Sequence, residues 1–510
     1  MREIYKDNEI FVKLPDGLLK PFVTTISVKQ GCVLSPLLFN LYIDRISKIF
    51  DQSCSPVKIN NKDFNCLLWA DDLLLVSETP QGLQNCINKM EKVYTDLDLK
   101  INIKKTKVII FNKKGTTMEN KFEFYLKGEK ISITNEYQYL GIKLRPSGSL
   151  KMGVEELNDK ASRAWFGINN IIYKNKRMET DKAFGIFDSL VTPVATYACE
   201  FWLPYLIKKT GFMSRNNLLS SWESLKCETL NQKCSQMVLS VHNKASRLAV
   251  LGELGRYPLF LPALSKCLNY KIALEKNRQK SEIMDLLWTE MEEMTSRGQD
   301  CWLFRVNQIS KLLHVPANLK FSPNSGKSIT KLLRGKFDIF WLEKINEVKS
   351  NKNDNLDHNK LRTYKSLKSS FCKEPYIELV RNRNQRSSLT RLRISAHCLN
   401  SELGRRTQPI TPFDKRFCKY CHLHLNPSEK FVDTELHFMI FCDRFTFTRN
   451  CAFARMSRIN PSFTQLTNTQ KFVSLMCPAT VQQTKVVNRF IKNMVSKRAL
   501  IDSGDNILDL

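Results

Sequence analysis

The sequence predicts an α+β fold: a small antiparallel sheet with helices, then a helical region, and near the C-terminus a small metal-binding module. Three observations predict this class. Two short apolar runs, residues 66–70 and 73–76, flank a polar pair in the pattern of a β-hairpin. Residues 150–275 have a helical pattern. A compact set of Cys and His residues begins at Cys418.

The polar pair between the two apolar runs is Asp71-Asp72, at the tip of the predicted hairpin. No Lys or Arg lies nearby in the sequence to neutralise these carboxylates. Mg²⁺ prefers oxygen ligands and keeps several waters, so paired carboxylates suit it. The alternative is an ordinary turn, because Asp is a common turn residue.

The segment before the hairpin predicts a loop followed by a helix. Gly31 follows Gln30 in the loop, where a backbone without a Cβ can come close to a flat ligand. Ser35 suits the N-cap and Pro36 the first helical position. The helix is expected to bury one face, formed by Leu38, Leu41, Tyr42, Ile46, Ile49 and Phe50. A capped helix with no further role is the alternative.

These motifs, in this order, resemble the palm of a reverse transcriptase, and most closely those of non-LTR (LINE-type) retrotransposons. The resemblance rests on Gln-Gly-x-x-x-Ser-Pro-Leu-Leu-Phe-Asn and on Ala-Asp-Asp between apolar strands. It continues through an amphipathic helix after Thr79-Pro80, a lysine-bearing segment at residues 99–107 and a strand pair near residues 137–142. The helix is expected to pack through Leu83, Ile87, Met90, Tyr94 and Leu97.

The resemblance implies joining of a primer 3′-hydroxyl to the α-phosphate of a dNTP, with two Mg²⁺ ions roughly 3.5–4 Å apart. It implies that Asp71 ligates the metals and that Asp72 supports it. Lys105 would act on the departing pyrophosphate, although Lys104 is an equally basic neighbour and a solvated lysine run is the alternative.

The remaining roles implied by the resemblance concern nucleic acid. Template and nucleotide binding would fall to four residues: Gln30, Gly31, Ser35 and Pro36. The primer grip would consist of three: Tyr139, Leu140 and Gly141. The partners so implied are RNA and DNA as template and primer.

Two departures from the family pattern bear on activity. Trp69 stands where the family usually has Tyr or Phe. The family palm also takes a metal-binding Asp from a strand well before the Gln-Gly loop, and here only Asp7 and Asp16 precede that loop, in polar stretches. We therefore expect a C-terminal piece of a larger polyprotein that is inactive alone, with an upstream segment or a separate endonuclease as partner.

Composition favours a polyanionic partner. The 510 residues contain 79 Lys and Arg against 50 Asp and Glu, a net charge of +29. The 16 Cys have no regular framework and the N-terminus has no signal-peptide pattern. We expect reduced cysteines, a location in nucleus or cytoplasm, no secretion and no membrane partner.

The chain divides into five predicted regions. By resemblance, residues 1–145 are a partial palm and residues 146–275 a helical thumb. Residues 276–400 are helical with a linker, residues 401–455 hold a zinc-knuckle-like module, and residues 456–510 form a basic helical tail. Five arginines near the end of the third region are expected to contact nucleic acid: Arg381, Arg383, Arg386, Arg391 and Arg393.

The fourth region carries the pattern Cys-x2-Cys-x15-His-x4-Cys, formed by Cys418, Cys421, His437 and Cys442. Four N and S ligands suit a tetrahedral, structural Zn²⁺ with no open position. His422 and His424 compete for the third position, and four unrelated buried side chains are the alternative. The stretch also resembles the C-terminal zinc knuckle of LINE-type polyproteins.

The sequence therefore predicts a fragment of an RNA-directed DNA polymerase from a LINE-type retrotransposon. The alternative is a non-catalytic nucleic-acid-binding relic or domesticated protein that keeps the scaffold and the zinc knuckle. A third interpretation, an intron-maturase relative, shares the palm motifs, but the late Cys and His cluster argues against it.

Overall fold

The fold is described from a computed structural model, which describes residues 8–24, 28, 31–115, 121–207, 215–316, 325–347, 359–421 and 431–502. The chain divides into two compact units. The first unit comprises Met1–Leu150 and Asn277–Arg297, and the second comprises Lys151–Lys276 and Gly298–Leu510. The mixed α and β class predicted from the sequence is confirmed, with small antiparallel sheets and extensive helix.

All strands named in the described residues lie in the first unit, and each sheet there has two antiparallel strands. The strands are β1 (Asn8–Ile10), β2 (Lys13–Leu14), β3 (Gly17–Leu18), β4 (Phe22–Thr24), β5 (Val57–Ile59), β6 (Lys62–Phe64), β7 (Cys66–Trp69), β8 (Asp72–Leu75), β9 (Phe124–Leu126), β10 (Glu129–Ile131), β11 (Tyr137–Tyr139) and β12 (Ile142–Leu144). β1 pairs with β4, and every other pair is a hairpin of consecutive strands.

The helices of the first unit are α1 (Ser35–Ile43), α2 (Pro80–Asp96) and, from the later segment, α11 (Glu282–Ser296). α2 begins as the sequence predicts, because the Thr79 hydroxyl caps it by accepting the Gly82 amide at 3.0 Å. Its predicted face is also confirmed: Ile87 and Met90 are buried, with Leu83 and Tyr94 packed against the same core.

The predicted face of α1 is partly wrong. Leu41 and Tyr42 are 67% and 49% exposed, whereas Ile46 is buried as predicted. Ile43, which is outside the predicted face, is also buried, and the cluster includes Phe39 and Phe50. Ser35 is the first helical residue rather than the N-cap, a position that Leu34 takes. Nearly every position of α1 is apolar, so spacing alone leaves the buried face to the packing partners.

In the described residues of the second unit, the secondary structure is helical apart from two isolated β-bridges. Its helices are α3 (Lys151–Lys174), α4 (Thr180–Leu190), α5 (Thr192–Ala195), α6 (Cys199–Leu206), α7 (Arg215–Ser220), α8 (Lys226–Leu239), α9 (Arg247–Leu254), α10 (Phe260–Asn277), α12 (Trp302–Leu312), α13 (Ser325–Asn346), α14 (Arg362–Leu367), α15 (Pro375–Leu379), α16 (Ser387–Arg393), α17 (Asn400–Leu403), α18 (Thr446–Ile459), α19 (Asn468–Met476) and α20 (Val481–Asp502). α10 extends one residue past the boundary of this unit.

An aromatic core joins the middle helices of the second unit. Trp341 of α13 is fully buried, and its indole N–H donates to the Leu248 carbonyl at 2.9 Å. Gly252 lies against this ring, because an added Cβ would be 2.3 Å from a Trp341 ring atom. Gly255 then ends α9 with a left-handed φ of 58°.

The arginines expected to contact nucleic acid are mostly structural, so that prediction is wrong for three of the five. Arg383, Arg386 and Arg393 are each at least 94% buried. Arg393 pairs with the buried Glu253, and Arg386 donates to backbone carbonyls, one of them Val238 in α8. Buried guanidinium groups need several acceptors each, and some of these, such as Glu253 and Val238, come from chain segments far away in sequence.

None of the helices in the described part of the chain is both long enough and apolar enough to cross a bilayer.

Candidate metal centres

The hairpin β7–β8 presents the paired aspartates at its tip. Trp69 lies opposite Asp72, and Ala70 and Asp71 form the two-residue turn between them. Both carboxylates are exposed, and neither forms a hydrogen bond or ion pair with the described residues. Leu73 of β8 anchors the hairpin, because it packs against both apolar clusters of the first unit, one around Ile87 and Met90 and the other around Ile43 and Ile46.

The turn is strained at Ala70. Its φ of 51° lies in the left-handed region, which costs a residue with a Cβ about 1–2 kcal/mol. Packing of the two flanking strands keeps Ala70 in this conformation. Such strain at a turn that carries two acids is often part of a functional site.

Two tyrosines lie within electrostatic reach of the acid pair. Burial and then the charge of Asp71 raise the pKa of Tyr94 on α2. Burial and then the charge of Asp72 raise the pKa of Tyr139 on β11. The structure therefore brings together the hairpin tip and the first of the three residues assigned to the primer grip.

Leu140 and Gly141, the other two residues of that assignment, form the turn between β11 and β12. Their φ values of 44° and 80° are those of a two-residue hairpin turn with both residues left-handed. Gly at the second position accommodates this conformation at no steric cost, whereas Leu140 does not.

The other predicted residues of this site are less closely tied to the acid pair. Gln30 lies outside the described residues, while Gly31 is exposed with a left-handed φ of 81°. Ser35 is buried and Pro36 exposed at the start of α1. Lys105 is exposed beside Lys104, so the structure gives no reason to prefer one of these lysines.

The two aspartates have no third candidate ligand among the described residues. Within those ranges, one group of three or more Cys, His, Asp or Glu side chains could hold an ion, and it lies elsewhere. Two aspartates precede the Gln-Gly loop in the sequence. Asp16 lies in the turn between β2 and β3, and Asp7 lies outside the described residues.

The one candidate metal-binding group in the described residues is the predicted set of Cys and His residues, which lies in the second unit. The ligand atoms of Cys418, Cys421, His437 and Cys442 all lie within 4.8 Å of one another. Three of the four side chains are buried. His422 and His424, the competing candidates, lie outside the described residues.

The spacing within this cluster is that of a tetrahedral site. The sulfurs of Cys418 and Cys442 are 3.8 Å apart, and Cys421 Sγ lies 3.3 Å from His437 Nε2. Zn–S bonds of about 2.3 Å and Zn–N bonds of about 2.0 Å place tetrahedral S and S atoms about 3.8 Å apart and S and N atoms about 3.5 Å apart.

Backbone pairing brings the four ligands together. The Cys418 amide donates to the Phe431 carbonyl at 3.0 Å, and the Asp433 amide donates to the Arg416 carbonyl at 2.9 Å. After this short antiparallel contact, one turn of π-helix, His437–Phe441, ends where the Cys442 amide donates to the His437 carbonyl at 2.8 Å. The last two ligands therefore lie on the same side of the turn.

The thiols of the cluster share one negative charge. Hydrogen bonding from Cys442 lowers the pKa of Cys418 to about 3. Burial and then the charge of Cys418 raise the pKa of Cys421 to about 12, and the hydrogen bond with Cys418 raises that of Cys442. A cation at the centre would offset this repulsion and let all three thiols ionise.

Sequence reasoning missed the residues that support this cluster. Arg498 of α20 donates to the buried carboxylate of Asp433 at 2.6 Å, and its guanidinium lies 4.3 Å from the ring centroid of Tyr420. Glu435 accepts from Arg362 and Thr363 and contacts His397 at 2.8 Å. Arg498 carries no local sequence signal, because it lies far from the cluster along the chain.

Comparison with known proteins bears on the first unit. Residues 5–144 match the family described as reverse transcriptase (RNA-dependent DNA polymerase). The Pol polyprotein of a type-2 retrotransposable element from Drosophila melanogaster is 32% identical over 149 residues, which is 28% of this chain and 14% of that protein.

Two further relatives are similar over stretches of the same size. An uncharacterized transposon-derived protein of Caenorhabditis elegans is 26% identical over 148 residues, 29% of this chain and 51% of that protein. The Pol polyprotein of a type-1 retrotransposable element from Nasonia vitripennis is 25% identical over 139 residues, 26% of this chain and 14% of that protein. The matched stretches thus cover about half or less of each relative.

Proposed function

We propose that the chain is a polymerase segment of a LINE-type retrotransposon polyprotein, on the premise that residues 5–144 match the reverse transcriptase family and are similar to retrotransposon Pol polyproteins. In this proposal, the first unit contributes the palm and α3–α10 the thumb. Its ligands are template RNA, a DNA primer and Mg²⁺. Two of the relatives are named Pol polyproteins, which supports a polyprotein origin.

The observation that carries the proposal is the exposed acid pair Asp71-Asp72 at the tip of a packed hairpin, which has no ion pair with the described residues. Two such carboxylates are suited to Mg²⁺, which would hold the nucleotide phosphates and the primer hydroxyl. Asp71 in the turn is the direct ligand, and Asp72 at the start of β8 supports it. The strained turn at Ala70 holds both acids at the tip.

The residues around the acid pair have proposed roles that follow from their positions. Tyr139 lies within electrostatic reach of Asp72, and Leu140 and Gly141 form the turn that follows it, so this hairpin would seat the primer end near the metals. Gln30 and Gly31, with Ser35 and Pro36, would line the template and nucleotide pocket. Lys105 would contact the departing pyrophosphate.

A metal-directed cleavage experiment tests the hairpin site without requiring polymerase activity. Fe²⁺ is bound in place of Mg²⁺ and made to produce hydroxyl radicals, which cut the backbone near the ion. We expect cuts close to the hairpin tip that excess Mg²⁺ suppresses and that Asp71→Asn abolishes. Asp96→Asn is the matched control, because Asp96 is an exposed acid at the end of α2 in the same unit. Cuts unchanged by Asp71→Asn would refute the site.

Primer extension on an RNA template then separates the polymerase from the second candidate function. Mg²⁺-dependent synthesis that Asp71→Asn removes supports a complete catalytic site. Binding of template and primer without synthesis favours a non-catalytic nucleic-acid-binding protein. The absence of a third candidate ligand beside Asp71 and Asp72 in the described residues favours that second candidate for the chain on its own.

We also propose that the Cys418, Cys421, His437 and Cys442 cluster holds a structural Zn²⁺. Its interatomic spacings fit the tetrahedral ion, and four protein ligands leave no open position for chemistry. The ion would order the segment around it, at a binding free energy on the order of 10 kcal/mol.

A further inference from the structure

A groove of about 620 Å³ lies along one face of α13 in the second unit. The groove is lined by two glycines, Gly326 and Gly335, and by five residues with polar or charged side chains: Lys327, Thr330, Lys331, Arg334 and Asp338. The chemistry of this groove therefore points to a charged ligand.

The cations of the groove follow the helix at regular intervals. Lys327, Lys331 and Arg334 are exposed and stand at positions i, i+4 and i+7, so they lie in one row. At a rise of about 1.5 Å per residue, the row is about 10 Å long. The first of them lies in the opening turn of a 22-residue helix, where the helix dipole adds positive potential.

Two of the three cations have no acidic partner in the part of the chain that the structure describes. Neither Lys327 nor Lys331 forms an ion pair or hydrogen bond with a residue that the structure describes. Asp338 accepts the hydroxyl of Tyr257 at 2.9 Å, and the guanidinium of Arg334 lies 5.1 Å from the centroid of that ring. Three cations thus face one carboxylate that already has a partner.

An adjoining groove of about 570 Å³ provides a contrast. Thr330 and Arg334 line both grooves, but the other cations of the second groove are neutralised. Arg256 pairs with Asp188 at 2.7 Å, and Lys373 pairs with Asp181 at 2.6 Å. Uncompensated positive charge is confined to the α13 end.

The glycines make the α13 face accessible to a bulky ligand. Gly335 lies in the middle of the helix on the exposed face, and no atom of the described residues lies within 4 Å of the position its Cβ would take. Glycine costs about 1 kcal/mol relative to alanine inside a helix. Its presence leaves backbone open where a ligand can come close.

We propose that the row Lys327, Lys331 and Arg334 binds the phosphodiester backbone of one nucleic-acid strand. This inference rests on the proposed function, because it adds a backbone-contacting surface outside the predicted palm and thumb. Phosphates spaced along a strand match cations spaced along a helix, and contacts to phosphate carry no sequence information. The strand can be the RNA template or the DNA product, which share this chemistry.

Salt-dependent binding of the full chain tests the proposal. The double variant Lys327→Gln/Lys331→Gln is titrated with labelled single-stranded RNA, single-stranded DNA and an RNA–DNA duplex, without Mg²⁺. Losing two phosphate contacts lowers the slope of log Kd against log salt by about 1.4 for single strands or about 1.8 for a duplex. Affinity near 0.1 M salt falls about tenfold or more. The three ligands show which strand the row holds.

The matched control is Lys276→Gln/Lys311→Gln, which removes the same charge from exposed lysines of the same unit outside the groove. Loss specific to the groove variant supports the proposal. Equal slopes for both double variants would overturn it, as would binding by the groove lysines to anionic vesicles but not to nucleic acid. The hairpin cleavage experiment needs no nucleic acid, so failure of the groove and failure of the metal site are separate results.

Discussion

The guanidinium of Arg498 donates to the carboxylate of Asp433 at 2.6 Å, and both side chains are more than nine-tenths buried. Asp433 lies on the short pairing that positions Cys418, whereas Arg498 lies near the end of α20. This buried ion pair joins the C-terminal helix to the Cys and His cluster, so the two are one structural element despite their separation in sequence.

Arg498→Ala should therefore unfold the cluster. Removing one partner of a buried ion pair leaves the other charge unpaired, which costs about 3–5 kcal/mol. The same substitution removes the contact with the Tyr420 ring. Thermal or chemical unfolding of the zinc-loaded protein measures the loss. Arg489→Ala, on the exposed side of the same helix, is the control and should cost less than about 1 kcal/mol. Equal effects of the two variants would show that the pair has no special role.

Replacing a ligand of the cluster should release the metal. We expect one zinc ion per chain, lost in His437→Ala, and a Co²⁺ derivative with the absorption of a tetrahedral thiolate site. His422→Ala and His424→Ala are the controls and should retain the metal, because His437 Nε2 already faces Cys421 Sγ at 3.3 Å. Elemental analysis gives the stoichiometry. If His437→Ala retained zinc and His424→Ala lost it, His424 and not His437 would be the zinc ligand.

Chelation should have a local effect. Removal of the ion leaves three thiols that cannot all ionise, so residues 410–450 should become sensitive to protease, and nucleic-acid binding should weaken. Limited proteolysis with and without chelator tests this. Unchanged protease resistance would mean that the cluster is four buried side chains with no structural ion.

The arginines near residue 386 should affect stability more than nucleic-acid binding. Arg386 is 1% exposed and donates to the carbonyls of Ile377, Val380 and Val238. Arg386→Ala leaves these acceptors unpaired, which should cost at least about 3 kcal/mol. Arg381→Ala is the control, since Arg381 is 68% exposed and forms an exposed ion pair with Glu179. A stable Arg386→Ala protein with lost nucleic-acid affinity would restore the original prediction.

These elements show how far the sequence alone predicts the structure. The hairpin that carries Asp71 and the cap at Thr79 follow from local chemistry, since turn residues and N-caps act within a few positions. The buried state of Arg386 could not be predicted in this way, because one of its acceptors, Val238, is supplied by a helix far earlier in the chain. The prediction of the buried face of α1 was partly wrong for a related reason. Leu41 and Ile43 are both strongly apolar, and only the residues packed around them decide which one is buried.

Strain at the hairpin tip predicts opposite effects of two substitutions at Ala70. Ala70→Gly relieves the left-handed φ of 51° and should be neutral or stabilise the hairpin by up to about 1 kcal/mol. Ala70→Val should destabilise it by at least about 1 kcal/mol, because a β-branched side chain is strongly disfavoured there. Amide exchange of β7 and β8 reports on both. Similar exchange in the two variants would mean that the turn relaxes to another conformation.

The stability of the second unit should depend on pH through Glu228. This side chain is 1% exposed, and burial raises its pKa from 4.5 to about 7, against the lowering effect of the Phe260 amide that donates to it at 2.7 Å. Below pH 4.5 the carboxyl is protonated in both states. As pH rises toward 7, the unfolded chain loses its proton first, so the folded state loses up to about 3 kcal/mol of stability over this window.

Glu228→Gln removes this titration while an amide oxygen still accepts from Phe260. The free energy of unfolding of the variant relative to the natural chain should therefore rise by about 2–3 kcal/mol between about pH 5 and about pH 8. Chemical denaturation at the two pH values measures the change. Glu223→Gln, at an exposed position beside the same helix, should show no such change. Each variant is compared with the natural chain at the same pH. Titration of the zinc ligands is common to all three proteins, so its effect cancels. A pH-independent difference for Glu228→Gln would mean that Glu228 is ionised across the whole range.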